Sequence, residues 1–327
     1  MHAAPSRRRF LAAAGALGLP AAWAQQPAAS APAAPDTPPP LELVVLGSGG
    51  PGATGRAGAS YVVLVDGVPR ILVDAGPGSF ARLGEAKLSL AKTDIVLLTH
   101  LHIDHVGELP GLFKARAVSS RGAIAFKVFG PDGRRGKGQG DKASATFPST
   151  TRLVDLLFGK QGAFGYLRDF SAPMTIQATD ITTPPTPTAQ PRKILSEGGL
   201  EISAIAGHHR DAPAVIYRID YVGKSITFTG DIDADGLPGL RRIAQGTEVL
   251  VFNSVVLDPP GSPPVLYTLH TPPKAIGEMA GASGTRMLLL SHLSPTMDAA
   301  HDAIEASIAQ GYKGTTVFVR DGMRLVP

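Results

Sequence analysis

Residues 94–105 read Asp94-Ile95-Val96-Leu97-Leu98-Thr99-His100-Leu101-His102-Ile103-Asp104-His105: an apolar run that ends in four metal-competent side chains. The run Asp94–Thr99 has the length and composition of a buried strand, so His100 and His102 leave its end on the same side, as alternate residues of an extended chain do. Those two can share one metal. A turn into a helix opening near Val106-Gly107 then aims Asp104 and His105 at a neighbouring point, where a second cation sits roughly 3.5–4 Å from the first in two-metal sites. Imidazoles and a carboxylate without thiolates form a borderline donor set, which suits zinc and leaves manganese or iron open. Three of the nine histidines fall within these six residues, which a polar loop with scattered histidines does not explain.

At 327 residues, 43% hydrophobic and 18% charged, the chain has the composition of a globular protein that buries a large core. Its start has a different character. Ser6-Arg7-Arg8-Arg9-Phe10-Leu11 is a twin-arginine signature, followed by the apolar stretch Leu11 to Ala22 and the small-x-small site Ala22-Trp23-Ala24. Residues 1–24 are therefore expected to be an export signal, cleaved after Ala24, with a periplasmic mature protein that carries no membrane span. Arg7, Arg8 and Arg9 are the only charged residues of that segment, so 31 basic residues less these three leave 28 against 27 acidic, a net charge of +1. A mature chain this close to neutral exerts no strong electrostatic pull on nucleic acid, and no nucleic-acid partner is expected. The absence of cysteine excludes disulfides and thiolate zinc sites.

Residues 25–40, nearly all Ala, Pro, Gln, Thr and Ser, have too little apolar bulk to offset the entropy of ordering and are read as a flexible tether. The folded domain is expected over 41–327. Its strands are placed at Leu41–Leu46, Tyr61–Val65, Arg70–Val73, Asp94–Thr99, Ile124–Phe129, Leu200–Ala206, Ala214–Val222, Ser225–Thr229, Glu248–Val251 and Arg286–Leu290. Helices are placed at Ser79–Ala91, Gly107–Ser119, Thr151–Phe158, Pro272–Ala282 and Asp298–Gln310. Strands alternating with helices imply layered α/β structure, here two sheets with helices outside. The alternation breaks at about 130–199, where a Gly/Lys/Arg-rich stretch and the Pro/Thr run Thr182–Pro191 read as an irregular insertion. Such a segment is expected to cover the site as a lid, or equally to join two copies, so a homodimer stays open. Phe147, Phe158, Phe164 and Tyr166 are read as packing residues of this insertion.

Three further stretches put a His or Asp directly after an apolar strand, where a sheet delivers side chains to its rim. These are Ile205-Ala206-Gly207-His208-His209, Phe228-Thr229-Gly230-Asp231 and Leu289-Leu290-Ser291-His292. Asp74, in Val73-Asp74-Ala75-Gly76, is read as a carboxylate that orders the metal histidines by hydrogen bonding. Gly47-Ser48-Gly49-Gly50-Pro51-Gly52 lacks the Lys-Ser/Thr ending of a nucleotide loop and is read as a tight turn that lets backbone approach the site.

Together these stretches resemble, in content and order, those of metallo-β-lactamase-fold hydrolases, in the branch of tRNase Z and the zinc-dependent arylsulfatases. The likeness is carried by Leu46–Pro51, Val73–Gly76, the histidine cluster, Thr229-Gly230-Asp231 and Ser291-His292-Leu293-Ser294-Pro295. It implies an αββα four-layer sandwich with two Zn2+ at the sheet edge. By that resemblance His100, His102 and His208 hold one zinc, Asp104, His105 and His292 the other, and Asp231 bridges them. It selects His208 over His209 by the distance to Pro213 and to the pair Tyr217-Arg218, and it places His270, in Leu269-His270-Thr271-Pro272-Pro273, beside the leaving group.

Paired zincs lower the pKa of water toward neutrality, Asp104 orients the resulting nucleophile, and His270, if protonated, can donate to the departing alkoxide. The expected reaction is hydrolysis of an ester-like bond in a small molecule, a phosphodiester or a sulfate ester, with lactone or β-lactam hydrolysis as the alternative. A protein that keeps the site but has lost catalysis is the third reading.

Overall fold

Each long apolar run forms a strand buried on both faces, and this sets the layering. In β1 (Leu41–Gly47), Leu41, Leu43 and Val45 enter one core while Val44 and Leu46 enter another, the two-residue alternation of extended chain. The computed structural model describes residues 37–52, 54–135, 146–184 and 190–327, and residues 38–327 form one unit. The twin-arginine segment, residues 25–36 of the tether and much of the basic 132–142 stretch lie outside the described residues.

The first sheet continues with β2 (Ser60–Val65), β3 (Val68–Val73), β4 (Ile95–Leu97) and β5 (Ile124–Pro131). A two-stranded ribbon, β6 (Arg134–Arg135) with β7 (Thr146–Phe147), precedes its edge strand β8 (Met174–Ile181). The second sheet comprises β9 (Arg192–Glu197), β10 (Leu200–Ala206), β11 (Val215–Tyr221), β12 (Lys224–Phe228), β13 (Val249–Asn253), β14 (Met287–Ser291) and β15 (Thr315–Phe318). β16 (Arg324–Leu325) returns to pair with β1, giving orders β16-β1-β2-β3-β4-β5-β8 and β15-β14-β13-β12-β11-β10-β9.

The two sheets pack through a shared core in which Tyr61, Val63 and Leu97 of one meet Ile202, Tyr217 and Val249 of the other. Outside the first sheet lie α1 (Ser79–Glu85), α2 (Ile103–Val106), α3 (Leu109–Ser119) and α4 (Thr150–Phe158), whose Leu83, Leu112, Phe113 and Phe158 cover Val62, Leu72 and Val96. Outside the second lie α5 (Leu237–Ile243), α6 (Pro273–Ala282), α7 (Pro295–Asp298) and α8 (His301–Ile308), which bury Leu240, Ile276 and Ile304 against Ile216, Leu250 and Leu288. This is the expected αββα sandwich. No helix among the described residues is long and apolar enough to cross a membrane.

Strand direction explains where the site lies. β3 and β4 are parallel, so Asp74 and His100 leave the first sheet at one edge. In the second sheet β10 and β12 each run antiparallel to β11, and β13 and β14 are parallel to β12. The carboxyl ends of β10, β12, β13 and β14 therefore share one rim, the position where open α/β sheets present their ligands.

Three expectations differ from what is observed. The helix from Ser79 stops at Glu85 because Lys87 takes a left-handed conformation (φ 52°) and the Leu88 amide turns back to the Leu83 carbonyl at 3.3 Å. The helix placed at Asp298–Gln310 is shorter, α8 from His301 to Ile308, set off by a turn at Ala299-Ala300 from the separate short helix α7. The 130–199 segment supplies an edge strand to each sheet: β8 pairs with β5 in parallel over eight residues, and β9 pairs with β10.

Candidate metal centre

At the shared rim the rings of His100, His102 and His209 bring one nitrogen each to within 4.8 Å of one another, as Asp104, His105 and His292 do beside them. Asp231 lies between the two groups. One carboxylate oxygen is 4.0 Å from His100 Nε2, 3.8 Å from His209 Nε2 and 3.6 Å from His292 Nε2; the other is 3.7 Å from His105 Nε2. Donors bonded at roughly 2.0–2.2 Å to a tetrahedral zinc stand roughly 3.3–3.6 Å apart. These separations, 3.6–4.0 Å, are too long for hydrogen bonds and lie at or a few tenths of an ångström beyond the spacing of donors around a common cation. His100 Nε2 and His105 Nε2 are buried and have no protein partner, a costly arrangement unless a ligand satisfies them. The residues present thus fit two cations.

His105, His209, Asp231 and His292 are each held by a second contact. Asp74, left-handed at φ 54°, accepts from the Thr99 amide at 2.7 Å, the Thr99 hydroxyl at 2.7 Å and His105 Nδ1 at 2.8 Å, so in the neutral ring of His105, the form that binds a cation, the proton resides on Nδ1 and Nε2 is free. His209 Nδ1 donates to the Leu269 carbonyl at 2.8 Å, with the same result. Asn253 Nδ2 donates to Asp231 Oδ1 at 2.7 Å. His292 is itself left-handed (φ 61°), held by the Leu293 amide on the Ser48 carbonyl at 2.9 Å. Its ring lies so close to Gly50 that a Cβ there would stand 3.1 Å from Nδ1. The glycine-rich turn does bring backbone against the site. Gly230, at φ 57°, is required by the same closeness, because a Cβ would fall 2.5 Å from Thr99 Cβ.

The electrostatics follow burial and neighbours. Burial holds His100 well below the usual imidazole range, and His102 and His209 are lowered by the same cause. Burial also opposes the charge of His105, but the carboxylates of Asp74, Asp231 and Asp104 prevail and raise it to about 9. Burial works against ionisation of Asp231, yet the surrounding His292, His105, His270 and His100 rings hold it well below the carboxylate range. Asp104 is lowered against its own burial by His292 and His105.

His208 does not join the cluster. Its Nδ1 donates to both oxygens of Asp233, at 2.9 and 2.8 Å, and His209 takes the position assigned to it. Ala204 faces the central core and Ile205 the outer one, so strict alternation would send His208 inward. Strand pairing stops at Ala206, however, and a tight turn follows in which His209 bridges Ala212 and Arg210 is left-handed at φ 53°. That turn shifts the phase by one residue. The other six expected donors, His100, His102, Asp104, His105, Asp231 and His292, converge.

His270 is buried beside the cluster, its Nδ1 3.9 Å from Asp231 Oδ2 and without a hydrogen-bond partner. Burial, only partly offset by Asp231, holds it at about 4, so its ring is neutral near pH 7 and the protonated donor expected above is not populated.

A cavity of about 390 Å³ opens over the cluster. No described residue of 130–199 lines it; its outer wall comes from Val255, Gly261, Ser262, Pro263, Leu266 and Leu269. Of the four aromatics singled out in that segment, Phe158 is fully buried, Phe164 packs against the core and Tyr166 is exposed. Phe147 lies beside the metal group, its ring 6.2 Å from that of His102. Sequence reasoning passed over His209 as ligand, Asn253 and Asp233. Asn253 follows the apolar run Val249–Phe252, the same strand-end signal that marked the other donors.

Fold and site together define a metal-dependent hydrolase built on two sheets, and the chain belongs to the metallo-beta-lactamase superfamily, whose model matches residues 53–270. Among curated relatives, a ribonuclease Z of Mycobacterium avium is 26% identical over 271 residues, covering 80% of this chain and 89% of that protein. Human tRNase Z, short form, superposes with a TM-score of 0.64 at 17% identity over 88% of this chain and 99% of its own. The metallo-beta-lactamase fold protein YhfI of Bacillus subtilis gives a TM-score of 0.61 at 18% identity, with the same coverage of 88% and 99%. The branch read from the sequence is thereby confirmed. The expectation of a small-molecule ester substrate and no nucleic-acid partner is overturned by relatives that are ribonucleases. Its error was to infer a partner from bulk charge, which reports long-range attraction and not the chemistry of a metal site.

Proposed function

We propose that this protein is a dinuclear zinc hydrolase of the ribonuclease Z type that cleaves phosphodiester bonds in RNA. The observation that carries the reading is the position of Asp231 between two triads of donors. His100, His102 and His209 would hold one cation, Asp104, His105 and His292 the other, with Asp231 shared between them. Bound divalent cations supply Lewis acidity at the phosphoryl oxygen and a water-derived nucleophile at neutral pH.

The protein's own groups do the rest. Asp104, at the mouth of the cavity and 3.2 Å from His292 Nε2, accepts a proton from the attacking water and orients it. Asp231, fixed by Asn253, stays ionised throughout. His270, neutral and lining the cavity, donates a hydrogen bond from its ring to the departing oxygen as charge develops there, and that oxygen takes its proton from solvent while Asp104 returns the one it accepted to solvent.

Zinc-loaded protein is expected to cleave bis(p-nitrophenyl) phosphate and an RNA oligonucleotide. Both activities should vanish on chelation and return with zinc, and His270→Ala should lower kcat by about 10²–10³-fold, the usual range for removing one hydrogen-bond donor to developing charge. Turnover of a β-lactam with no cleavage of either phosphodiester would refute the assignment.

Export by the twin-arginine route to the periplasm is proposed on Ser6–Leu11 and Ala22-Trp23-Ala24. Lysine at both Arg7 and Arg8 should leave the protein in the cytoplasmic fraction, and unchanged periplasmic recovery would refute it.

A further inference from the structure

We infer that the apolar wall of the cavity, Val255, Pro263, Leu266 and Leu269, is a subsite for the nucleobase adjoining the scissile phosphodiester; this rests on the phosphodiesterase reading above. The cavity has two unlike sides. One is the donor cluster, with His102, Asp104, Asp231, His270 and His292 facing the opening. The other is aliphatic, and Val255, Leu266 and Leu269 are half-buried there although they border open space.

No Lys or Arg lines the cavity among the described residues. Next to a metal centre that takes the phosphate, such a wall offers nothing to a second phosphate. A ribose would place its hydroxyls against methyl groups that cannot hydrogen-bond to them. A flat, uncharged heterocycle loses least there: its faces pack on the side chains while its polar edge reaches Ser262, Thr296 or solvent.

The wall is braced by its own hydrogen bonds. The Tyr267 hydroxyl accepts from the Ser262 amide at 3.0 Å and donates to the Leu257 carbonyl at 2.8 Å, and the Leu257 amide donates to Ser262 Oγ at 2.9 Å. Asp258 accepts from the Lys274 amide at 3.0 Å and from the Ser307 hydroxyl, which anchors the segment to α6 and α8. The Leu269 carbonyl is also the acceptor that aims His209. Base and metal are thus referred to one piece of backbone, so a base seated on the wall sets the position of its phosphate.

The test uses the zinc-loaded full chain and two p-nitrophenyl phosphodiesters, one of uridine 5′-phosphate and one of the same sugar phosphate without its base. The intact protein should prefer the base-bearing ester in kcat/KM; Leu266→Ala should lose about tenfold on it and less than about twofold on the abasic ester, the range for truncating an apolar pocket contact. Leu266→Met, which keeps the volume, should restore the preference, and Val255→Ala serves if the first variant does not fold. Equal losses on both esters, or no preference in the intact protein, would overturn the subsite.

Equilibrium binding of uridine 5′-phosphate against ribose 5-phosphate separates this inference from the one beneath it. Tighter nucleotide binding that Leu266→Ala abolishes, in a protein that cleaves no phosphodiester, upholds the subsite and refutes the hydrolase reading. Cleavage of both esters at equal rates, with equal binding, does the reverse.

Discussion

Replacing Asp74 by Asn would show whether the free nitrogen of His105 is set by the group behind it. The buried carboxylate accepts three hydrogen bonds, two from Thr99 and one from His105 Nδ1. Asparagine keeps the shape and offers one acceptor oxygen. The Thr99 amide can only donate, so the oxygen stays at that position and the new NH2 faces the Thr99 hydroxyl and His105 Nδ1. The hydroxyl can turn to accept. His105 must either oppose N–H to N–H or move its proton to Nε2, and the second choice removes the lone pair aimed at Asp104 and Asp231. Loss of such a supporting partner typically costs 10–100-fold in metal affinity, about 1.4–2.7 kcal/mol. A lost charge-assisted hydrogen bond also costs about 1.5–3 kcal/mol of stability, at about 2–4 °C in Tm for each kcal/mol. Zinc titration against a chromophoric chelator should therefore show the Asp104/His105/His292 site weakened and the His100/His102/His209 site nearly unchanged, with melting of metal-free protein lowered by several degrees. Unchanged affinity at both sites, or equal weakening of the two, would refute this account.

His209→Ala should lose one equivalent of zinc per chain while His208→Ala keeps both, measured by elemental analysis of purified protein; the opposite result would restore the assignment made from the sequence. Asp233→Ala releases the His208 ring and the amides of Arg210 and Asp235, which tie the His209 and Asp231 loops together. It should cost about 1–3 kcal/mol of stability, read from denaturant midpoints, and an unchanged midpoint would exclude the tie. Metal-free protein should be most stable near pH 6.5. His105, raised to about 9, contributes stability that is complete below 6.5 and lost as pH climbs through 9; His270, lowered to about 4, contributes stability that is complete above 6.5 and lost as pH falls toward 4. Melting curves from pH 4.5 to 9.5 check this, and a maximum above pH 8 would contradict it.

Much of the site is local in the sequence because consecutive residues carry it. His100 to His105 supply four donors within one strand end and one turn, where periodicity fixes direction. The His208/His209 choice was not legible, since it depends on a turn at 207–212 whose phase is set by the bridge to Ala212 and not by alternation. The edge strands β8 and β9 were missed for a different reason. In Met174–Ile181 only Met174 is buried, so polar residues such as Thr175, Gln177 and Asp180 mask the strand's pairing with β5. The 255–269 wall was hidden because Pro259, Pro260, Gly261, Pro263 and Pro264 read as a loop. Only the fold brings that loop across from His102 and Asp104.

The misjudged partner has the same origin as the lack of Lys and Arg among the described residues lining the cavity. In the proposed centre two divalent cations face two carboxylates, Asp104 and Asp231, and neutral imidazoles, which leaves about two positive charges at the point where a phosphate must bind. That charge is absent from any count of lysines and arginines, so a chain that carries only +1 without residues 1–24 would still have a strongly attractive site. Recognition built this way is short in range: the centre holds one phosphate, and specificity beyond it must come from uncharged contacts such as the 255–269 wall. Cleavage of a dinucleotide should then depend far less on added salt than a protein binding RNA through many lysine–phosphate contacts, where affinity falls by orders of magnitude over a fourfold change in salt. A steep salt dependence for so short a substrate would place its recognition on cationic surface outside the cavity.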